Sequence, residues 1–217
     1  MIKFHISDDI LTSYAAGGLD EASSLLVASH LTLCSHCRSR ATGADMLGGY
    51  LLDSLEETAV SPTMMADVML HAQTPKSVDP SPHRPSQSSH PLLPAPLGEY
   101  VGGDVSQLRW KRLAPKVHQV VIQTDDTRSM ARLLRFGSGM TVPSHGHNGR
   151  ELTLVLSGSL CDRDIILYRG DVAETDERTE HQPYAGTGDD CICLAVTDAP
   201  LRFKSIFARL LQPFFGI

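Results

Sequence analysis

Residues 139–158 read GMTVPSHGHNGRELTLVLSG and contain two histidines and a glutamate at close spacing. His145 and His147 are two residues apart, so in a β-strand their side chains point to the same face and can converge on one metal ion. Glu151 follows four residues after His147. Imidazole and carboxylate groups together suit a divalent first-row metal. The stretch therefore predicts a metal site on a strand.

The same stretch carries the signals of a buried strand between two turns. The run ELTLVLSG places leucines at 152, 154 and 156, which share one face of a strand. Gly139 and Gly158 stand where barrel strands have to turn. The complete spacing, G(x)5HxH(x)3E(x)6G, resembles the first cupin motif. This resemblance implies a β-barrel that holds a metal ion.

The cupin resemblance also implies a further histidine ligand downstream. His181 is the only histidine after His147, and residues 169–172 (RGDV) resemble the turn that opens the second cupin motif. The PxG and the trailing asparagine common in that motif are absent here. The implied ligand set is His145, His147, Glu151 and His181, holding Zn²⁺ or another divalent transition metal.

The first 72 residues predict four helices. Ser7 is placed to cap the first helix, and Ser61 with Pro62 to begin the fourth. The predicted helices cover residues 8–16, 20–31, 35–57 and 62–71. The fourth shows a short apolar face of Met64, Met65, Val68 and Met69. Methionine-rich faces adapt to partner surfaces, so these residues either bind a partner or close the core of the domain.

A second candidate metal site lies among these helices. His30 and Cys34 are one helical turn apart and Cys37 follows three residues later, an imidazole–thiolate set that suits tetrahedral zinc. His5 and His36 are the candidates for the fourth ligand. His36 lies between the cysteines and would point away from the ion, whereas His5 would tie the first helix to the second and third. The alternative is two buried free cysteines.

This pattern carries a second resemblance. HLTLCSHC with an upstream histidine resembles the zinc-binding anti-sigma domain, whose pattern His5, His30, Cys34 and Cys37 match. An anti-sigma domain followed by a cupin resembles the ChrR-type anti-sigma factors, and SYAAG, HLTLCSHC, ELTLVLSG and DCICLAVTDAPLRF carry that similarity. The resemblance implies that the N-terminal domain binds an ECF-type sigma factor and blocks its access to core RNA polymerase. It also implies that the cupin domain responds to singlet oxygen or related oxidants.

The helix and strand signals, together with the two resemblances, predict a multidomain α + β chain in three parts. Residues 1–72 form a small all-helical zinc-binding domain, and residues 73–98 form a linker with seven of the 13 prolines. Residues 99–217 form an all-β cupin barrel or jelly roll with a short C-terminal helix around 206–211. Strands are predicted at 108–123, 130–136, 151–160, 164–169, 190–196 and 201–203.

Charge and cysteine content exclude several classes of protein. Residues 1–72 carry three basic and nine acidic residues, which accounts for the whole net charge of −6. Phosphates would repel this region, so a zinc-finger nucleic-acid binder is disfavoured, whereas a basic protein partner suits it. Five cysteines, an odd number, argue against a disulfide framework. Without a signal peptide or an apolar span, we expect a soluble cytoplasmic protein that does not enter a membrane.

Two functions compete for the cupin part. A regulator uses both metal sites, whereas a cupin enzyme such as an iron-dependent dioxygenase or isomerase leaves the histidine–cysteine domain without a role. Cys161, Cys191 and Cys193 are soft metal ligands, oxidant targets or core residues. No catalytic triad, P-loop or dinucleotide fingerprint is present. The sequence therefore predicts a regulator rather than an enzyme.

Overall fold

The computed structural model describes residues 1–73 and 92–203. The N-terminal part is helical, as predicted, with α1 (Asp8–Ala15), α2 (Glu21–Leu33), α3 (Ser35–Asp53) and α4 (Met64–Gln73). Ser7 occupies the N-cap position of α1 but makes no side-chain capping bond, whereas the Asp20 carboxylate caps α2 by accepting from the Ser23 N–H. The third helix ends four residues before its predicted end, and the fourth begins two residues after its predicted start.

The C-terminal part opens with one short helix, α5 (Ala95–Val101), and a 3-10 turn at Val105–Gln107, and then consists of strands. The strands in the described residues are β1 (Lys111–Ala114), β2 (Val117–Ile122), β3 (Met130–Phe136), β4 (His145–His147), β5 (Glu151–Ser157), β6 (Ser159–Asp162), β7 (Ile165–Tyr168), β8 (Val172–Thr175), β9 (Glu180–His181), β10 (Tyr184–Ala185), β11 (Cys191–Thr197) and β12 (Leu201–Phe203). The predicted C-terminal helix lies outside the described residues.

The strands form three antiparallel sheets in a cupin-like β-sandwich. A six-stranded sheet has the order β1-β2-β3-β11-β5-β8, and two three-stranded sheets have the orders β10-β6-β7 and β12-β4-β9. The predicted combination of a helical part and an all-β part is therefore confirmed. The expected single strand at 108–123 is wrong, because Pro115 and Lys116, whose φ is 60°, form the turn of a β1–β2 hairpin. A proline has no N–H to give to a strand ladder.

The two faces of the six-stranded sheet pack against different partners. Leu152, Leu154 and Leu156 of β5 are buried in one continuous core with Leu25 and Leu26 of α2. The alternate side chains point into the sandwich, where a second cluster includes Phe136, Val155, Leu160, Leu167, Ala185, Cys191 and Cys193. Successive residues of a strand face opposite sides, so β5 is buried on both faces. The helices and the sheet therefore share a core.

Polar contacts at the edge of this core also join the two parts. The Glu21 carboxylate accepts hydrogen bonds from the Tyr100 hydroxyl at 2.7 Å and from the backbone N–H groups of Asp125 and Asp126. Asp20 accepts a further bond from the Ser129 hydroxyl. Two of the acidic residues counted toward a charged N-terminal surface are thus used within the molecule.

Helix α5 crosses the boundary at residue 98 that the sequence suggested between linker and barrel. Pro94 is its N-cap residue and Pro96 lies in its first turn, where a missing N–H costs nothing. Leu93 and Leu97 are buried in the core shared with α2. Part of the proline-rich stretch therefore packs on the helical part. No helix in the described ranges is long and apolar enough to span a membrane.

Candidate metal centres

The N-terminal candidate site gathers all four predicted residues. Ligand atoms of His5, His30, Cys34 and Cys37 lie within 4.8 Å of one another. His5 Nδ1 is 3.3 Å from Cys34 Sγ and 3.6 Å from Cys37 Sγ. Ligands of one tetrahedral zinc ion are separated by about 3.5 Å, so these atoms are spaced to share an ion. The exposed His36 ring instead lies tilted beside His5, at 4.7 Å between ring centroids.

His30 is oriented by a residue of the β domain. Its Nδ1 donates to the Gly170 carbonyl oxygen at 2.9 Å, and its Nε2 is buried with no hydrogen-bond partner in the described part of the chain. Burial lowers the pKa of His30, which favours the neutral imidazole that binds metals. An unpaired buried nitrogen facing two thiols is the arrangement that a bound cation completes.

The two cysteines lie where α2 ends and α3 begins. Cys34 is the N-cap residue of α3, and its Sγ accepts from the Cys37 N–H at 3.4 Å. Burial raises the pKa of the Cys37 thiol to about 11. A cation is needed to hold such a buried sulfur as thiolate. The donor set, its burial and the unpaired His30 nitrogen fit a structural zinc ion.

The second candidate site gathers three of its four predicted residues. His145 and His147 lie on β4, the central strand of its sheet, and His181 lies on the adjacent β9, directly opposite His145. The His181 Nε2 atom is 3.0 Å from His145 Nε2 and 3.2 Å from His147 Nε2. Strand geometry places residues i and i+2 on one face, and cross-strand pairing adds the third ring.

The orientation of two of these rings is fixed by acceptors behind them. The carbonyl oxygen of Pro143 accepts from His145 Nδ1, and the carboxylate of Asp162 accepts from His181 Nδ1, each at 2.9 Å. With the protons on Nδ1, neutral rings direct Nε2 lone pairs at one another, which is repulsive unless a cation lies between them. Burial lowers the pKa of His145 to about 4, and that of His147 also to about 4. These residues fit a divalent metal ion.

Glu151, the fourth predicted cupin residue, lies outside this three-histidine cluster. Its Oε2 is 3.7 Å from His147 Nδ1, the nitrogen on the other side of that ring, and its Oε1 accepts from the Thr153 hydroxyl. Burial raises the pKa of the Glu151 carboxyl. The structure brings the three imidazoles together but does not bring the carboxylate to their common centre.

The remaining cysteines are buried in the β domain, and two of them lie inside the sandwich. Cys161, Cys191 and Cys193 are free thiols and are buried. Cys191 and Cys193 share the inner face of β11, and a hydrogen bond donated by the Cys193 thiol to Cys191, together with burial, raises the pKa of Cys193 well above its ordinary value. Cys191 and Cys193 occupy core positions and are not part of the three-histidine cluster.

Exposed apolar side chains recur along the far end of α3, the segment that follows it and α4. None of the residues of α4 is buried. The four predicted partner-binding residues have exposed fractions of 46% for Met64, 72% for Met65, 57% for Val68 and 51% for Met69. The surface continues along α3 and the following segment through Met46, Leu47, Tyr50, Leu51, Leu52, Leu55 and Val60. This set is hereafter called the α3–α4 face. Of the two interpretations of the methionines, closing a core is wrong.

Comparison with known proteins identifies the family. Residues 99–200 match the model of the ChrR cupin-like domain. The whole chain is 46% identical to the anti-sigma-E factor ChrR of Cereibacter sphaeroides, covering 99% of that protein. The chain belongs to the ChrR family of anti-sigma factors. A solved relative in the ChrR family has the same architecture. It is a chain in the crystal structure of Rhodobacter sphaeroides SigE in complex with ChrR, and it is 43% identical to this chain. The superposition has a TM-score of 0.79 and covers 91% of this chain and 99% of that chain.

Several residues of these ChrR-family centres carry no sequence signal. Gly170, Pro143 and Asp162 each accept a hydrogen bond from a histidine Nδ1, yet only the turn-like sequence around Gly170 stands out. Gly170 lies 140 residues from His30 along the chain. Spacing rules find ligands that are close in sequence, whereas the acceptors behind them depend on the fold.

Proposed function

We propose that this chain is a zinc-dependent anti-sigma factor that sequesters an ECF-type sigma factor in the cytoplasm. Residues 1–72 are the sigma-binding domain, and residues 99–217 are the sensor. The observation that carries the proposal is the α3–α4 face, a large apolar surface with no covering element in the described chain. Groups of exposed large apolar side chains mark protein interaction sites. The relative that superposes along most of its length is in complex with SigE.

Zinc has a structural role in this proposal. His5 precedes α1, His30 lies in α2, and the two cysteines lie at the start of α3, so one ion joins the three helices. Helix α3 begins at this site and carries part of the α3–α4 face at its other end. An ion that fixes the start of α3 therefore fixes the direction of the binding surface.

Sigma-factor binding is tested with SigE of Rhodobacter sphaeroides as the probe. The full-length chain should form a stable complex with SigE on size-exclusion chromatography and block SigE-dependent transcription. Met65→Asp and Val68→Asp should abolish the complex, because a charge would be buried in an apolar interface. Ile166→Asp is the matched control, an apolar side chain that is 46% exposed on β7 of the sandwich. Equal binding by all three variants would contradict the assignment of the surface.

We also propose that the cupin-type centre receives the oxidative signal. Three imidazoles meet at one point, and imidazole is a chemical target of singlet oxygen. Metal held by His145, His147 and His181, with Glu151 beside His147, would join β4 to β9. Damage to a ligand would release the ion and loosen that strand pair. A difference of a few kcal/mol between sigma-bound and sigma-free states is sufficient for a switch.

The sensing proposal is tested with a reporter gene under the sigma-dependent promoter. His147→Ala and Glu151→Ala should preserve repression in the dark and blunt induction by singlet oxygen. The double variant Cys191→Ser, Cys193→Ser should induce normally, since both sulfurs lie in the core. Normal induction in the first two variants, with no induction in the double variant, would contradict the proposal and identify the two cysteines as the sensor.

A further inference from the structure

One turn of the β domain contacts the N-terminal candidate zinc site. The Gly170 carbonyl oxygen accepts from His30 Nδ1 at 2.9 Å. The next residue, Asp171, is 1% exposed, and its Oδ1 accepts from the backbone N–H groups of Lys3 at 2.7 Å and Phe4 at 3.0 Å. We call residues 170–172 the docking turn. It holds both the segment that carries His5 and the ring of His30.

The N-terminal segment extends along this part of the sheet. The Val172 N–H donates to the Phe4 carbonyl oxygen at 3.1 Å, and the Ser7 N–H donates to Glu174 Oε1 at 2.7 Å. His5 lies between these two attachment points. Two of the four candidate ligands are therefore positioned by contacts with the β domain rather than by helices alone.

The geometry of the docking turn requires glycine at 170. Gly170 has a φ of +91°, which L side chains rarely adopt, and a Cβ there would lie 2.6 Å from Ile2 Cδ1. Oδ2 of Asp171 accepts from the Tyr168 N–H at 2.8 Å, so the buried carboxylate fixes the turn and the N-terminal segment together. A buried carboxylate satisfied on both oxygens makes a rigid connection.

We propose that the docking turn is part of the N-terminal zinc site, so that zinc binding and docking of the β domain stabilise each other. The proposal deepens the zinc role given above and rests on it. The Gly170 carbonyl holds His30 with its Nε2 toward the cysteines, and undocking removes that acceptor. By thermodynamic linkage, whatever docking adds to zinc affinity, zinc adds to docking. A change within the β domain that moves this turn then weakens the zinc site directly, without passing along residues 74–91.

The test uses the full-length chain with Co²⁺ in place of zinc. Cobalt bound by thiolates gives a charge-transfer absorption that an all-histidine site lacks, so this signal reports the N-terminal site alone. Gly170→Ala and Asp171→Asn should weaken cobalt and zinc binding at the thiolate site about 10- to 100-fold in chelator competition, the usual effect of removing support behind a ligand. Asp190→Asn is the matched control, a carboxylate paired with Arg135 and remote from the turn; its affinity should equal that of the parent chain.

The reciprocal effect is measured by hydrogen exchange. Removal of zinc should speed exchange of the Phe4 and Val172 amides, which join the two parts, and leave the Leu133 and Leu194 amides of the central strands unchanged. Unchanged thiolate-site affinity in both turn variants, with unchanged exchange at Phe4 and Val172 on zinc removal, would overturn the coupling. If the parent chain itself gave no thiolate charge transfer, the zinc site would be wrong, and the coupling with it.

Discussion

At the residue scale, three of the five histidines in the two candidate sites have a hydrogen-bond acceptor behind the ring. Pro143, Asp162 and Gly170 provide that acceptor for His145, His181 and His30. In each case Nε2 is left facing the other candidate ligands. Exposed histidines without such support, such as His36, do not join a cluster. Support behind the ring orients these three ligands but does not by itself make a site, because the exposed His71 also donates from Nδ1 to a carbonyl oxygen.

The thiolate ligands provide the most direct residue-scale prediction. Cys37→Ala should reduce bound zinc by about one ion per chain, because three ligands hold zinc much more weakly than four. Loss of zinc should also abolish the SigE complex. Cys161→Ala, which removes a buried sulfur of the sandwich, is the control for losing a thiol. Metal analysis of the purified proteins gives the count, and a Cys37→Ala chain that kept its full zinc content would refute the site.

The Asp162 carboxylate provides a prediction for the second centre. Asp162→Ala removes the acceptor for His181 Nδ1, so the ring loses its orientation. Metal affinity at the three-histidine centre should fall about 10- to 100-fold, while the thiolate site keeps its cobalt absorption. Asp164→Ala, which removes a nearby exposed carboxylate, should change neither site. Chelator competition measures metal affinity at the three-histidine centre, and cobalt absorption reports the thiolate site.

At the scale of elements, α2 connects the two halves of the molecule. Leu25 and Leu26 are buried in the core shared with the sheet, and Asp20 at its N-terminus binds both Ser23 and Ser129. Helix α4 is the opposite case, since none of its residues is buried. The two helices differ in burial because α2 packs against the sheet, whereas the α3–α4 face is covered by another chain only in the proposed complex.

The cap of α2 gives an element-scale prediction. Asp20→Ala should lower the free energy of unfolding by about 1–2 kcal/mol, the usual cost of losing an N-cap. Burial raises the pKa of Asp20, but hydrogen bonds from Ser129 and Ser23 outweigh it, and the net pKa is lowered from 3.8. The stabilisation is therefore present above pH 3.8 and is lost as the pH falls through the lowered value. Urea unfolding at neutral pH measures the loss, with Asp9→Ala, an exposed residue of α1, as the control.

At the scale of the whole molecule, the helical part does not stand apart from the β domain as a separate unit. It covers one face of the six-stranded sheet and shares a continuous core with it. The docking turn and the Asp20–Glu21 contacts flank that core. A change in the β domain can therefore reach the helical part through this core and the docking turn.

A fragment ending at Gln73 tests this organisation. It keeps the four candidate zinc ligands and the α3–α4 face, so it should bind SigE and repress transcription while ignoring singlet oxygen. It lacks Gly170 and the sheet, so it should hold zinc more weakly than the full chain. Titration with SigE and chelator competition measure the two properties. A fragment that retained zinc but did not bind SigE would show that the β domain contributes to the interface.

Local features of this protein could be predicted from its sequence alone. Ligands separated by two, three or four residues lie on one strand face or one helical turn, so His145 with His147, and His30 with Cys34 and Cys37, were readable from spacing. The four N-terminal helices and the buried character of β5 followed from periodicity in the same way. These features depend on backbone geometry that neighbouring residues share.

The tertiary structure alone decided what lies opposite each of these faces. Periodicity marked Leu152, Leu154 and Leu156 as buried, but only the fold shows that they pack against helices rather than inside the sandwich. Likewise, Glu151 lies outside the three-histidine cluster, and Gly170 supports a histidine 140 residues away. Spacing along the chain specifies which side chains point the same way. Which distant backbone atom meets them depends on long-range packing, for which a single sequence carries no local signal.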